Sequence, residues 1–527
     1  MPLRLNSLNR FLLGFAMAFV GGVLAANASD DVVNHFRGIL KSTDPAVFSR
    51  EALALRRWMI ANDPHYPKYH FAGPEGWIND PNGPIYYQGK YHLFYQFDPM
   101  VPDNHGGWRR SARCWGHALS DDLVHWMDWP VALWPDTAYD RAGVYSGNTF
   151  VADNGDLCAL YTGNVRGHEE TYGILARSTN GFVTCTKKVV MDDKQRPNPK
   201  SPVHWDGYVW KEGNSWCQLI GGTTGGTNAQ GAAWLWTSPD LERWTLQQNI
   251  APTIGLGRFW ELPYLIPLGG KHVLLIGQGN PYWIGDYDKQ TMTFRPDKAI
   301  PRQVDTGAYY SFNLNMTDAK GPGGTQRRLM HGWVTGPRSP TKDVPYWQGA
   351  HSIPRVIRLV DGRLWQEPVP EVGLLRGKHF TAGQLPQVRG DALEITATFE
   401  SGTAKTFGIK VRVSTDGKEY TRIFFDTTTR RFGVDGSTPE RNAAEFKKAG
   451  RGTLRASGSQ ESLLPVGQPV TMRILLDRSI VEVFVNGVAY TARTFPPVDA
   501  LGVESFSEGG DAAMKSLDVY KLKSAWE

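Results

Sequence analysis

From about residue 66 onward, short runs of apolar and β-branched residues alternate with clusters of Gly, Asn, Asp and Pro. Ile85-Tyr86-Tyr87 is followed by the turn Gln88-Gly89-Lys90 and then by Tyr91-His92-Leu93-Phe94-Tyr95, which is the pattern of a β-hairpin. The same texture runs to the C-terminus with almost no helical periodicity. Residues 29–65 differ: Leu53, Leu55, Trp58 and Met59 fall near helical spacing, so a short helical lead-in is expected there. The pattern therefore predicts an all-β protein behind a helical N-terminal segment.

A weak internal repeat runs through the β-rich part. Ala118-Leu119-Ser120-Asp121-Asp122-Leu123-Val124-His125-Trp126 is similar to Leu235-Trp236-Thr237-Ser238-Pro239-Asp240-Leu241-Glu242-Arg243-Trp244. Leu175-Ala176-Arg177-Ser178-Thr179-Asn180-Gly181-Phe182 lies between them, so Leu123, Phe182 and Leu241 are each 59 positions apart. A weaker fourth unit runs from Ile284 to Phe294. This period fits propeller blades with generous loops. Short Ser/Asp turns are common, however, and chance could also produce the spacing.

The pattern changes near 365–385. Gln366-Glu367-Pro368-Val369-Pro370-Glu371 is rigid and polar, and residues 371–385 read as a linker. Beyond it, Leu393-Glu394-Ile395-Thr396-Ala397-Thr398-Phe399 alternates strictly. Arg478 to Val485 ends at an Asn486-Gly487 turn, so 386–527 reads as an antiparallel β-sandwich. It holds no clustered acids or bases, and a supporting role is expected.

Composition narrows the classes. The chain has 527 residues, enough for two or three domains, with 21% charged and 41% hydrophobic residues. Its 19 Trp are many; they suit sugar-stacking clefts as well as pleated β-surfaces. At the N-terminus, Arg4 and Arg10 precede the apolar run Phe11 to Ala25 and the site Ala26-Asn27-Ala28. Residues 1–28 thus read as a cleaved secretory signal, with an uncleaved anchor as the alternative. Removing those two arginines lowers the formal charge from +5 to +3. That charge is too small, and too scattered, for a nucleic-acid partner. No later segment is apolar and long enough for a membrane span. Cys114, Cys158, Cys185 and Cys217 permit three pairings that sequence does not rank, and no metal-site spacing is present.

Three acidic residues stand in aromatic and Gly/Pro surroundings. Asp80 lies in Gly76-Trp77-Ile78-Asn79-Asp80-Pro81-Asn82-Gly83, where the following Pro interrupts a ladder and places Asp80 at a strand end or in a plain turn. Glu261, between Trp260 and Leu262-Pro263, is expected to be partly desolvated; this raises a carboxyl pKa as a general acid requires, although a Glu capping a loop is as good a reading. Asp206, in Trp205-Asp206-Gly207, reads by itself as a hairpin turn.

Taken in order, these stretches carry a resemblance. Asn79-Asp80-Pro81-Asn82-Gly83 with Tyr91-His92-Leu93-Phe94-Tyr95-Gln96 resembles the signature of glycoside hydrolase family 32, the invertases, inulinases, levanases and fructosyltransferases. Trp115-Gly116-His117-Ala118, Ser120 to Trp126 and Tyr145-Ser146-Gly147-Asn148 resemble that family's next blocks. Trp260-Glu261-Leu262-Pro263 resembles its Trp-Glu-Cys-Pro block with Leu262 in place of Cys, and Asp477 to Phe484 resembles a motif of its C-terminal domain.

The resemblance implies a five-bladed β-propeller, here 66–370, followed by a β-sandwich. It implies a retaining β-fructosidase that uses no cofactor or metal and acts on sucrose or fructans such as inulin and levan. By carry-over, Asp80 is the nucleophile, Glu261 the acid/base and Asp206 the stabiliser of the transition state. Trp77, Asn79, Gln96, Trp115 and Ser146 line the fructose pocket. One departure stands out: Trp205-Asp206-Gly207 replaces the family's Arg-Asp-Pro, which removes a fork of hydrogen-bond donors. Arg196-Pro197-Asn198-Pro199 is a rival alignment that lacks the acid. A fructosyltransferase using the same residues, or a non-catalytic sugar-binding relative, fits the same motifs.

Overall fold

The computed structural model describes residues 32–102, 108–111, 113–166, 169–197, 205–336, 347–436, 458–462 and 464–527. The leader read over 1–28 lies outside them. Five sheets of six, four, four, five and six strands follow one another along the chain, each built on four main antiparallel strands. Their innermost strands are Gly76–Pro81, Gly143–Val151, Tyr208–Glu212, Pro263–Leu268 and Tyr309–Asn313, and their outermost strands end with Arg363–Pro368. These are blades I to V of a propeller. A two-residue parallel pairing, Gly76 with Trp347 and Trp77 with Gln348, ties blade V to blade I.

The repeat in the sequence has a physical origin. Leu123, Phe182 and Leu241 occupy the hairpin between the third and fourth strands of blades I, II and III. All three have left-handed backbones, with φ of 69°, 64° and 68°. Side chains rarely adopt this conformation, because Cβ crowds the backbone at a cost of roughly 1–2 kcal/mol. Here each side chain is buried, so packing offsets the strain. The hydroxyls of Ser120 and Ser178 accept the N–H groups of Leu123 and Phe182, each at 2.8 Å. The indoles of Trp126 and Trp244 donate to the Leu123 and Leu241 carbonyls. Blades IV and V turn more tightly, through Met292 and Asp361 at positive φ, which is why the repeat fades after the third unit.

The C-terminal part packs a six-stranded sheet on a five-stranded one, both antiparallel, around a core that includes Phe407, Ile423, Ile474 and Val483. The stretch read as a linker differs from expectation. It contains the strand Arg376–Thr381, which pairs with Ala513–Leu522 at the sheet's edge. Only Phe380 of that strand is buried, so no alternation marks it in the sequence. All four cysteines are unpaired, and three are buried.

The lead-in forms the helix Pro45–Asn62, capped at its start by Asp44, whose carboxylate accepts the N–H groups of Ala46 and Val47. Phe48, Ala52, Leu55 and Met59 enter a core shared by blade I and the sandwich. Arg56, on the same buried face, forms a bidentate pair with Asp128 at 2.5 and 2.7 Å.

A buried polar network joins the sandwich to the propeller. Asp477 accepts the backbone N–H groups of Lys68, Tyr69 and His70 at 2.7–2.9 Å. The His70 ring lies 3.0 Å from both Asp477 and Glu482. Burial opposes its charge, but the two carboxylates overcome this and hold the imidazolium up at about 9. Glu482 also accepts from Ile353 N–H and from Arg355, and Arg355 reaches Asp305 at 3.2 Å and Thr491 at 2.7 Å. The Asp477-to-Phe484 motif is thus the surface through which the sandwich grips blades I and V. Replacing Arg355 by Met leaves Glu482 and Asp305 buried with one partner fewer. Breaking such a pair costs about 3–5 kcal/mol. Urea unfolding of Arg355→Met should show a loss of that size, and a loss under about 1 kcal/mol would contradict the network's role.

Candidate active site

A regular propeller strand sends its side chains toward the neighbouring blades, because successive residues alternate across the sheet. Three of the five inner strands break this rule in the same way. In blade I, Ile78 pairs with Phe97 but Pro81 pairs with Tyr95, so three steps on one strand match two on the other. The same slip occurs in blade II between Val144 and Gly147, and in blade V between Tyr310 and Asn313. Each is a one-residue bulge, which re-aims the residues within it. The bulges hold Asn79 and Asp80, Tyr145 and Ser146, and Ser311 and Phe312. Proline at 81 contributes to the first, since it donates no ladder bond.

The bulges bring these groups together. Ser146 donates its hydroxyl to Asp80 Oδ2 at 2.7 Å, and Asn79 donates its amide to Asp80 Oδ1 at 3.0 Å. Ser311, at φ 46°, adds a further influence that lowers the pKa of Asp80. Asp206 and Glu261 arrive by another route, just ahead of the inner strands of blades III and IV. Asn148 donates to the carbonyls of Asp206 and Gly207 at 3.2 Å, and Asn313 donates to Asn148 Oδ1 at 2.9 Å and to Pro81 O at 3.2 Å. One chain of amides thereby fixes blades I, II and V and the entrance to blade III against each other. Glu261 is positioned by Leu262, whose φ is 53°, and by Gly277 N–H, which donates to the Glu261 carbonyl at 3.0 Å. Backbone approach is close here: a Cβ on Gly221 would lie 2.3 Å from the Trp260 carbonyl oxygen.

The three carboxyls share one environment. Asp206 and Asp80 are 2% and 8% exposed, and Glu261 is half-buried. Burial raises the pKa of Asp80, while Ser146, Ser311, Arg113 and Asn79 oppose the rise. Burial and then the charge of Asp80 push Glu261 up to about 7, and the Tyr310 hydroxyl, which donates to Glu261 Oε2 at 3.3 Å, pulls it back. Asp206 is pushed well up by burial, then by Glu261 and Asp80. Its Oδ1 has no hydrogen-bond partner among the described residues. The arrangement can therefore present an ionised carboxylate, held by neutral donors, beside a carboxylic acid able to give up its proton near neutrality. Among the described residues, no three His, Cys, Asp or Glu side chains are placed to hold a metal ion.

The other candidates take two kinds of position. Trp77 is buried, with Arg110 and Arg113 at 4.9 and 4.8 Å from its ring. Gln96 and Trp115, each 1% exposed, donate to the carbonyls of Val144 and Tyr145, at 2.7 and 2.9 Å. These two fix the backbone immediately ahead of Ser146. Trp205 is fully buried in an apolar cluster with Trp216 and Trp236. It is a core residue, so no guanidinium takes its place next to Asp206. The rival stretch leaves the described residues after Pro197, and Arg196 forms an ion pair with Asp193 at 2.5 Å.

Sequence reasoning missed Arg113, Tyr310, Ser311 and Trp333. Trp333 packs edge-on against both Trp77 and Tyr310. Arg113 stands two residues before Trp115, in a stretch that no motif covered. Tyr310 and Ser311 lie in an aromatic run that reads as any inner strand, and the bulge that exposes them depends on pairing with a distant strand.

Comparison with known proteins matches this geometry to one family. The model described as glycosyl hydrolases family 32 N-terminal domain fits residues 70–368, and the one described as glycosyl hydrolases family 32 C terminal fits 370–521. Levanase of Bacillus subtilis (strain 168) is 31% identical over 517 residues, covering 88% of this chain and 71% of the levanase. Raffinose invertase of Escherichia coli is 30% identical over 490 residues, covering 87% of this chain and 95% of the invertase. The structure of sucrose-6-phosphate hydrolase from Lactobacillus gasseri superposes with a TM-score of 0.73 at 23% identity, over 90% of this chain and 97% of that one, a likeness of fold. The chain belongs to glycosyl hydrolase family 32 and is a glycoside hydrolase built as a five-bladed β-propeller with a β-sandwich.

Proposed function

We propose that the chain is an exported β-fructofuranosidase that releases terminal β-D-fructofuranosyl units from sucrose and fructans with retention of configuration. The observation that carries this reading is the contrast between two neighbouring carboxyls. Asp80 accepts hydrogen bonds from Asn79 and Ser146, whereas Glu261 has its proton held to about 7. Asp80 attacks the anomeric carbon of fructose while Glu261 protonates the departing oxygen, giving a covalent fructosyl-enzyme. Glu261, now a carboxylate, takes a proton from water, which releases fructose and restores Asp80. Asp206, the deepest of the three, faces the fructose hydroxyls; its unpartnered Oδ1 is available to accept one. Trp77, Asn79 and Ser146 form the wall beside Asp80, with Gln96 and Trp115 setting the position of Ser146. Export rests on the basic, apolar and Ala-Asn-Ala sequence of residues 4–28. The names of the relatives, a levanase and a raffinose invertase, favour fructans and sucrose-type sugars as substrates.

Released sugars from sucrose, inulin and levan test the substrate class, and product mixtures at high sucrose separate hydrolysis from transfer to a sugar acceptor. Asp80→Asn should abolish turnover on every substrate the wild type cleaves, with an unchanged thermal midpoint; near-native turnover would remove Asp80 from the chemistry.

The pH profile has a definite sign. Cleavage needs Asp80 ionised and Glu261 protonated, so kcat/KM rises as pH climbs through the pKa of Asp80 and falls as pH passes about 7. Glu261→Gln should erase the alkaline limb and lower kcat by about 10²–10⁴-fold. Tyr310 stabilises the Glu261 carboxylate, so Tyr310→Phe should raise the pKa of Glu261 and move the alkaline limb to higher pH. A limb that stayed in place, or moved down, would mean that Tyr310 does not act on Glu261.

A further inference from the structure

The guanidinium of Arg113 is not accounted for by the chemistry above. Its Cζ lies 4.8 Å from the Trp77 ring and 5.0 Å from the Tyr145 ring, so two aromatic faces hold it. Its backbone is fixed as well: Arg113 bridges to Gly143, and the Arg113 carbonyl accepts Val144 N–H at 2.8 Å. Among the described residues, the guanidinium has no hydrogen-bond acceptor and no carboxylate within ion-pair distance, although its charge reaches Asp98. Arg110, the other cation against Trp77, does have one, in Asp98 at 3.8 Å.

Its position relative to the three carboxyls is specific. Asp206 lies deepest and Asp80 is nearly as enclosed, whereas Glu261, Tyr145 and Arg113 are half-buried. Contacts tie Arg113 to both reacting groups: Tyr145 precedes Ser146, the donor to Asp80, and Trp77 packs on Trp333, which packs on Tyr310, the donor to Glu261. Arg113 therefore belongs, with Glu261 and Tyr145, to the partly exposed mouth of the site, whereas Asp206 is its most enclosed carboxyl. At that mouth the sugar that departs must lie, because Glu261 protonates its oxygen.

We propose that Arg113 is a specificity-determining residue whose stacked guanidinium donates hydrogen bonds to the hydroxyls of the leaving sugar. This rests on the fructosidase reading above and deepens it. Stacking between two rings immobilises the plane of the group and leaves its edge N–H donors free for ligand oxygens. A sugar with neighbouring hydroxyls satisfies such a fork; a small alkyl leaving group offers it nothing.

The test keeps the fructosyl unit constant and changes what leaves. Two substrates are compared: methyl β-D-fructofuranoside, and whichever of sucrose, inulobiose and levanbiose the wild type cleaves best. A hydrogen bond to a charged donor is worth about 1.5–3 kcal/mol, or roughly 10–100-fold. Arg113→Met changes the charge felt by Asp80 and Glu261 on both substrates alike, so the ratio of kcat/KM values is read: the disaccharide should lose that factor more than the methyl fructoside. Arg113→Gln keeps amide donors without the charge and should lose less on the disaccharide. Equal losses on both substrates, or no loss on either, would overturn the proposal. If Arg113→Met fails to fold, Arg113→Gln against wild type decides: a larger loss on the disaccharide than on the methyl fructoside supports it, and any other pattern sinks it. A wild type inactive on all four fructosides would instead end the fructosidase reading, and this inference with it.

Discussion

The site depends on a constraint of propeller geometry: an inner strand in regular pleat has no side chain to offer the axis. Its residues point alternately at the blades on either side. Polar groups can reach the centre only where a strand is interrupted or has not yet begun. The protein uses both routes. Bulges in blades I, II and V supply Asp80, Ser146 and Ser311, and the entrances to blades III and IV supply Asp206 and Glu261. Each interruption leaves ladder groups to be satisfied elsewhere. Asn82 N–H donates to Phe94 O at 2.7 Å, and the Asn313 and Asn148 amides collect the carbonyls of Pro81, Asp206 and Gly207. The amide chain is thus the price of breaking the strands, and it also sets the carboxyls relative to one another.

Bringing three carboxyls into one buried region is unfavourable unless their charges are kept apart in kind. Desolvation is the largest effect on each of them. What distinguishes them is the set of donors. Asp80 accepts from one hydroxyl and one amide, Glu261 from one phenol at 3.3 Å, and Asp206 has no side-chain donor among the described residues. The order of donor count makes Asp80 the group best able to stay ionised. Burying Trp205 in the apolar cluster between blades II and III removes the position from which a cation could have balanced Asp206. The positive charge that the site does have, Arg113, lies beside the other pair.

Much of this was legible in the sequence because it depends on local chemistry. The Asn-Asp-Pro-Asn-Gly and Trp-Glu-Leu-Pro stretches mark strand interruptions in residue type alone, since Pro and Gly act where they stand. The equal spacing of Leu123, Phe182 and Leu241 encodes a turn whose serine cap and buried left-handed residue are both local. What stayed hidden depends on partners far away in the chain. Tyr310 and Ser311 become site residues only because their strand slips by one against Arg327–Val334. The edge strand Arg376–Thr381 forms only because the C-terminal strand pairs with it, and its exposed residues carry no alternation. Gln96 and Trp115 carry motif residues whose hydrogen bonds go to the backbone ahead of Ser146, a distinction no motif records.

The sandwich, which holds none of the three carboxyls, still bears on the site through its docking network. Its motif from Asp477 to Glu482 binds the segment Lys68–His70, which leads into blade I, and Ile353 and Arg355, which lead out of the pairing that closes blade V on blade I. The joint between first and last blades brings together segments far apart in the chain, and contacts of such sequence separation are the slowest to form. His351, next to that joint, lies 2.7 Å through Nε2 from the carbonyl of Asn79, the residue whose amide holds Asp80. A carboxylate–imidazolium–carboxylate cluster at the domain boundary is therefore linked through this segment to the backbone that holds Asp80. Securing the boundary and positioning Asp80 are parts of one mechanical problem, and this explains why a domain that contributes none of the three carboxyls carries one of the chain's most distinctive motifs.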